Sequence, residues 1–249
     1  MGFKPKNSYA LFQWSNNLNN GLSLRMPRII IEESLWANLD QASKSVYVPL
    51  LKFVNKNGRA FPSLRTLAIV SGVTEKTAGK GIKGLDGLPG FNKIRWISSR
   101  GHIAYKYKID EPPPDHKHTV WISHDYINGG NWSQLTPTAQ AVLPVLKFFA
   151  FWEIEWYCEL EDMEYELIEF TDIYKNRKYD FMDADESVVY EMAGISKRSL
   201  PEAYESLAQH YLIEPLESHE DGKVWKLFTK PFHCYKRDTL NDQVKERYR

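Results

Sequence analysis

Apolar positions between Phe61 and Leu88 recur in two short helical runs separated by a glycine. Pro62 and Ser63 open the first run, and Leu64, Leu67, Ala68 and Val70 give it an apolar side, which predicts a helix. Gly72 supplies the open backbone angles of a sharp helix-to-helix turn, and Val73 is placed to plug the angle between the helices. Thr74 then caps a second helix in which Ala78, Ile82 and Leu85 share one face while Lys76, Lys80 and Lys83 recur on another. Downstream, residues Ile94 to Ile97 and Ile103 to Ile109 read as two strands around the polar turn Ser98, Ser99, Arg100 and Gly101. Upstream, Arg28 to Glu32 reads as a strand. Leu35, Leu39, Val46, Leu50, Leu51 and Val54 outline a helix from about Asp40 to Val54, which Pro49 is expected to bend.

Residues 119 to 230 repeat the plan of residues 28 to 110. The run from Val48 to Phe53 is echoed from Leu143 to Phe148, with a proline in each. Ser71 to Thr74 is echoed from Ala193 to Ser196, and Gly101 at the first hairpin tip by Gly222 at the second. The expected organisation is an N-terminal arm (1–27), a basic domain (28–110), a proline-rich linker (111–118), an acidic domain (119–231) and a C-terminal tail (232–249). In the second copy the corresponding helix, Lys197 to His210, opens with Lys197, Arg198 and Ser199 but then presents Glu202 and Glu205. Pro201 allows a start at Ser199, with Glu202 completing a capping box. An insertion, 151–179, interrupts this copy. Nine acidic residues and no Lys or Arg lie between Phe151 and Lys175, where Ile154, Trp156, Cys158 and Leu160 fit a strand as well as a helix.

The total charge is zero, with 32 basic and 32 acidic residues in 249, yet the halves differ. Residues 1–115 carry 17 Lys+Arg against 8 Asp+Glu, a net of +9, and the remainder a net of −9. Only the first half therefore has the electrostatic footprint of a nucleic-acid binder. Gly79, Gly81 and Gly84 weaken its lysine-bearing helix by roughly 1 kcal/mol each relative to alanine. They fit either a close approach of two backbones or a helix that orders on binding. No apolar run reaches the roughly 20 residues of a membrane span, and the first residues lack a signal peptide's apolar stretch, so the expected compartment is the cytoplasm. Cys158 and Cys234 offer neither a disulfide framework nor a zinc spacing. No nucleotide-binding glycine motif, nucleophile elbow or zinc-protease motif occurs. The histidines His116, His118 and His124 lie in and after the linker, where solvated side chains are the rule. Neither catalysis, a metal nor a cofactor is expected.

The glycine turn at Gly72, the capped basic helix and the Arg100-Gly101 hairpin together resemble a winged helix-turn-helix domain. The expected fold is mainly α with small β-hairpins (α+β), as two tandem winged helix-turn-helix domains, the second with an acidic insertion. Such a tandem, joined by a proline linker, resembles the replication initiator (Rep) proteins of plasmids and phages. That resemblance implies a sequence-specific double-stranded DNA-binding protein whose two domains contact successive major grooves and which forms homodimers in some roles. The acidic second copy departs from the family, where both domains present basic helices. Winged-helix transcription regulators share the module, and the acidic insertion suits a protein partner, so both alternatives stand. By the resemblance, Lys76, Thr77, Lys80 and Lys83 face the major groove, Thr74 caps, Ser63 and Arg65 touch backbone, and Arg100 and His102 reach from the wing. Lys197, Arg198 and Ser199 are their candidates in the second copy.

Overall fold

Residues Ser23 to Pro27, expected to end a terminal arm, instead form a strand that buries Leu24 and Met26. The computed structural model describes residues 23–97, 103–115, 117–152, 154–161, 177–216 and 224–229. Its first part runs β1 (Ser23–Pro27), α1 (Ile29–Glu32), α2 (Leu35–Asn38), α3 (Gln41–Leu51), β2 (Arg59–Ala60), α4 (Leu64–Ser71), α5 (Glu75–Gly84), β3 (Phe91–Ile97) and β4 (Ile103–Ile109). There follow β5 (Thr119–Ser123), α6 (Asp125–Asn128), α7 (Asn131–Gln134), α8 (Pro137–Phe149), α9 (Ile154–Leu160) and β6 (Tyr179–Met182). The described chain closes with α10 (Glu186–Ala193), a 3-10 turn (Lys197–Ser199), α11 (Leu200–Gln209), β7 (Ile213–Leu216) and β8 (Val224–Phe228). The fold is thus α+β, helices with small antiparallel sheets.

The stretch Arg28 to Glu32, expected as a strand, is mostly helix α1. It buries the consecutive Ile30 and Ile31 and leaves Ile29 51% exposed, a pattern that alternation cannot give. Four residues are too few to separate the two periods. Helix α3 starts where expected, with the Asp40 side chain accepting from the Ser43 N–H at 2.8 Å, but it stops at Leu51. Beyond it, Lys52, Phe53 and Val54 donate to carbonyls three residues back, which tightens the chain out of the α-helix.

The two parts share an order of elements and a strand order, β2-β4-β3 in one sheet and β6-β8-β7 in the other. Over the first four elements their counterparts stand 96 positions apart, as Gln41 and Pro137 do. β1 pairs antiparallel with β5 so that Arg25 lies opposite Trp121, its own counterpart, which puts a local pseudo-two-fold at the ribbon's centre. Contacts across it are reciprocal. The Trp36 indole donates to the Ala141 carbonyl at 2.8 Å, and the Trp132 indole to the Ser45 carbonyl at 3.0 Å. Lys44 Nζ reaches the carbonyls of Ala37 and, in the other part, Ala193, while Gln140 Nε2 reaches those of Trp132 and Ser71. Burial pulls the Lys44 ammonium down to about 8, against a smaller opposing pull from Asp40.

Pro49 has no N–H to return to Ser45, so the carbonyl accepting from Trp132 is one that the helix itself leaves free. The echoed prolines are not equivalent. Counted from the caps Asp40 and Thr136, Pro49 and Pro144 stand one position out of step. One apolar cluster runs from Leu24 to Leu227 through α3 and α8, so the parts share a core instead of owning two. Residues 111–115 are also held, because Arg25 forms an ion pair with Glu111 and donates to the Pro112 carbonyl at 3.2 Å.

The described part of the insertion is a cover. Ile154–Leu160 is helical, not extended. Trp152, Tyr157 and Cys158 pack on Tyr179, Phe181, Val224 and Phe228, which share the outer face of the second sheet, while Met182, Ile213 and Leu227 on its inner face join the main core. A buried ion cluster ties the insertion's return to the helix it left. Arg177 donates to Asp180 at 2.7 Å, and Lys147 lies 3.9 Å from the same carboxylate and donates to the Phe228 carbonyl at 3.1 Å. Most of the acidic run, and the tail 232–249, lie outside the described residues.

Candidate nucleic-acid interface

Helix α4 is capped by Ser63, whose hydroxyl accepts from the Thr66 N–H at 3.0 Å. It ends at Gly72, with φ 70°, where the Val73 N–H reaches back to the Ala68 carbonyl at 3.0 Å. Any side chain at Gly72 would be doubly excluded, since a Cβ there would stand 2.0 Å from the Ser133 carbonyl oxygen of α7. Gly194, with φ 62°, meets the Ala37 carbonyl oxygen at 2.1 Å in the same way. Both turns are therefore fixed by the opposite part of the molecule as well as by their own backbone.

Thr74 caps α5, accepting from the Thr77 N–H at 3.1 Å. Ala78, Gly81 and Ile82, with Leu85 beyond the last turn, are buried. Gly81 permits the contact with α3. A Cβ there would lie 2.4 Å from the Ala42 carbonyl oxygen, and the Ser43 hydroxyl donates to the Gly81 carbonyl at 3.0 Å. Of the two roles open to these glycines, Gly81 serves close approach, while a Cβ on Gly79 would meet only Leu64 Cδ1 at 3.8 Å.

The opposite face of α5 is free. Lys76, Lys80 and Lys83 are exposed, and so is Arg65 on α4. Lys80 Nζ sits 3.3 Å from Asp40 Oδ2, an exposed pair that opens at little cost. Burial pushes the Asp40 carboxyl up, but the Ser43 hydrogen bonds and Lys80 together outweigh it and hold the pKa below its ordinary value. Thr77, expected to face a groove, is half-buried with its hydroxyl 3.0 Å from that of Thr74. Ser63 likewise spends its hydroxyl on the cap and on Thr66, at 2.8 Å. Arg100 and His102 lie outside the described residues.

In the second part Lys197 and Arg198 are exposed on the 3-10 turn, and the Ser199 hydroxyl lies 2.8 Å from that of Ser196. Ser199 flanks the start of α11 without any side-chain cap, so the expected capping box with Glu202 is not made. Counted from Gly72 and Gly194, Arg198 stands where Lys76 stands, but Glu202 and Glu205 occupy the places of Lys80 and Lys83. Both glutamates are exposed. The same helix position thus carries inverted charge in the two parts. The sequence pattern singles out these glutamates but not the cations Arg59, Lys106 and Lys108, of which only the two lysines carry a signal, an alternation with Tyr in a strand.

Among the described residues no group of three or more His, Cys, Asp or Glu could hold a metal, and no helix is long and apolar enough to cross a membrane. His118 is engaged by Asp115 at 2.8 Å. No curated protein and no solved structure matches the chain. A family described as a helix-turn-helix domain matches residues 37–88, from within α2 to just past α5. Residues 37–88 thus hold a helix-turn-helix domain, within which α4, the Gly72 turn and α5 with its exposed lysines supply a helix, turn and helix.

Proposed function

We propose that the protein is a non-catalytic, sequence-specific double-stranded DNA-binding protein built from two tandem winged helix-turn-helix domains, of the type that initiates plasmid or phage replication. The observation that carries this reading is α5, which is buried along Ala78, Gly81 and Ile82 and open along Lys76, Lys80 and Lys83. An amphipathic helix anchored by its apolar face and presenting ammonium groups suits a groove lined by phosphates. The recurring strand order and the matched caps support a tandem. The resemblance to replication initiators supports that role over transcription control, which would use the same module. In this reading the first domain grips the duplex, and Glu202 and Glu205 keep α11 from doing so in the same way.

The test is fluorescence anisotropy of the full chain with a labelled duplex, titrated across salt. Replacing Lys76 and Lys80 by Ala weakens binding and lowers the salt slope by up to about two units, about 0.9 for each phosphate no longer neutralised. An unchanged slope refutes the assignment of α5 to the DNA.

A further inference from the structure

The two sheets differ in what lies on their outer faces. In the second, that face is largely apolar and closed: Phe181 and Val224 are 0% and 4% exposed beneath Trp152 and Tyr157, and Lys226, opposite Phe181 and in the place of Lys108, lies half-buried over the Tyr179 ring. The first sheet has no cover among the described residues. Its inner face (Ala60, Phe91, Tyr107 and Ile109) belongs to the core. Strand register places Arg59 directly opposite Lys108, with Lys106 two residues along β4 on the same face. Arg59 thus stands where Phe181 stands in the other sheet, and Lys106 where Val224 stands. Arg59 and Lys108 are exposed, and Ile94 opposite Lys106 is 38% exposed.

Like charges directly opposite across an antiparallel pair destabilise it, so this arrangement costs stability in the free protein. Asp110, 3.3 Å from Lys108, offsets part of the cost. Among the described residues neither Arg59 nor Lys106 has a carboxylate partner. Lys106 and Lys108 recur about 7 Å apart along the strand, and Arg59 lies about 5 Å across it from Lys108. That is a row of cations suited to a run of like charges, in a half of the chain whose net charge is +9.

We infer that the outer face of the first sheet, through Arg59, Lys106 and Lys108, is a second contact surface for the phosphate backbone of duplex DNA. It rests on the proposed function and adds to it: α5 supplies the groove contact and the sheet face holds backbone beyond it. Bound phosphates would screen the Arg59–Lys108 repulsion, so occupancy removes a cost that the free sheet bears. An acidic peptide would satisfy the same cations. Duplex is favoured because the lysine stripe of α5 belongs to the same module.

The experiment compares the full chain with the double variant Arg59→Gln, Lys108→Gln. The probes are a labelled duplex of about 40 bp, long enough to pass the roughly one helical turn that a single recognition helix occupies, and a labelled poly-glutamate peptide. Expected are a fall in the duplex salt slope of about one to two units and a urea midpoint equal to or above that of the parent, which shows that the variant folds. If the slope is unchanged, the inference is overturned. It is overturned in favour of an acidic protein partner if only peptide binding disappears. Should the parent chain show no salt-dependent duplex binding, the proposed function itself fails, and this inference with it.

Discussion

Gly79 and Gly81 stand two residues apart on α5, and substituting Ala at each is expected to shift stability in opposite directions. In a helix interior, alanine is favoured over glycine by roughly 0.8–1 kcal/mol. At Gly79 the new methyl would meet only Leu64 Cδ1 at 3.8 Å, ordinary van der Waals contact, so the gain survives. At Gly81 it would stand 2.4 Å from the Ala42 carbonyl oxygen, 2.8 Å from its carbon and 2.9 Å from Val46 Cγ2. Two of those atoms are backbone of α3, a helix buried from Ala42 to Leu51, and cannot turn aside as a side chain could. Overpacking costs about 1–3 kcal/mol, and a clash with two backbone atoms falls at the upper end, about 2–3 kcal/mol, so after the propensity gain the net loss is about 1–2 kcal/mol. With a urea m-value of about 2.5 kcal/mol/M, Gly79→Ala raises the unfolding midpoint by about 0.3 M and Gly81→Ala lowers it by about 0.6 M. Urea titration of the full chain, followed by tryptophan fluorescence, reads both. Midpoints that move together would refute the reasoning, since propensity alone treats the two positions alike.

Two further outcomes follow from the interface between the parts. Trp132→Phe removes the indole donor to the Ser45 carbonyl, which Pro49 cannot replace, and costs about 1–3 kcal/mol for the stranded oxygen. Trp36→Phe costs less, since position 145 keeps an N–H able to reach the Ala141 carbonyl, and urea midpoints in the reverse order would contradict this account. Burial pulls Lys44 and Lys147 to about 8, well below the 10.5 of a free ammonium. Between those values the folded chain binds fewer protons than the unfolded one, so stability rises with pH from about 8 toward 10 and gains nothing from this source below 8. A urea midpoint that falls between pH 8 and 9.5 would show that these lysines are not held as the structure holds them.

The helix-turn-helix is legible in the sequence because each of its devices is local. Ser63 and Thr74 cap at once in sequence and in space, Gly72 takes the left-handed angle its place requires, and the apolar spacing of Ala78, Ile82 and Leu85 names the buried face. Helix α1 is not legible in the same way, because its run of three isoleucines carries no period. Ser63 and Thr77 look outward from their positions alone, yet their hydroxyls close the caps. The prolines make the echo of Val48–Phe53 in Leu143–Phe148 conspicuous, but the caps set those helices one residue out of that register.

What the sequence determined by itself is the set of short-range choices: caps, turns, the apolar face of α5 and the division of charge between the halves. These depend on neighbours within a few residues, where backbone sterics and side-chain period decide. Only the tertiary structure decided that β1 pairs with β5, that one core serves both parts, and that Gly81 and Gly72 are glycine because another segment's carbonyl occupies the Cβ position. It also decided that the insertion's aromatic residues cover one sheet while Arg59 and Lys108 on the other stay open. Such contacts join residues far apart in sequence, and no local pattern encodes which distant carbonyl or ring will arrive.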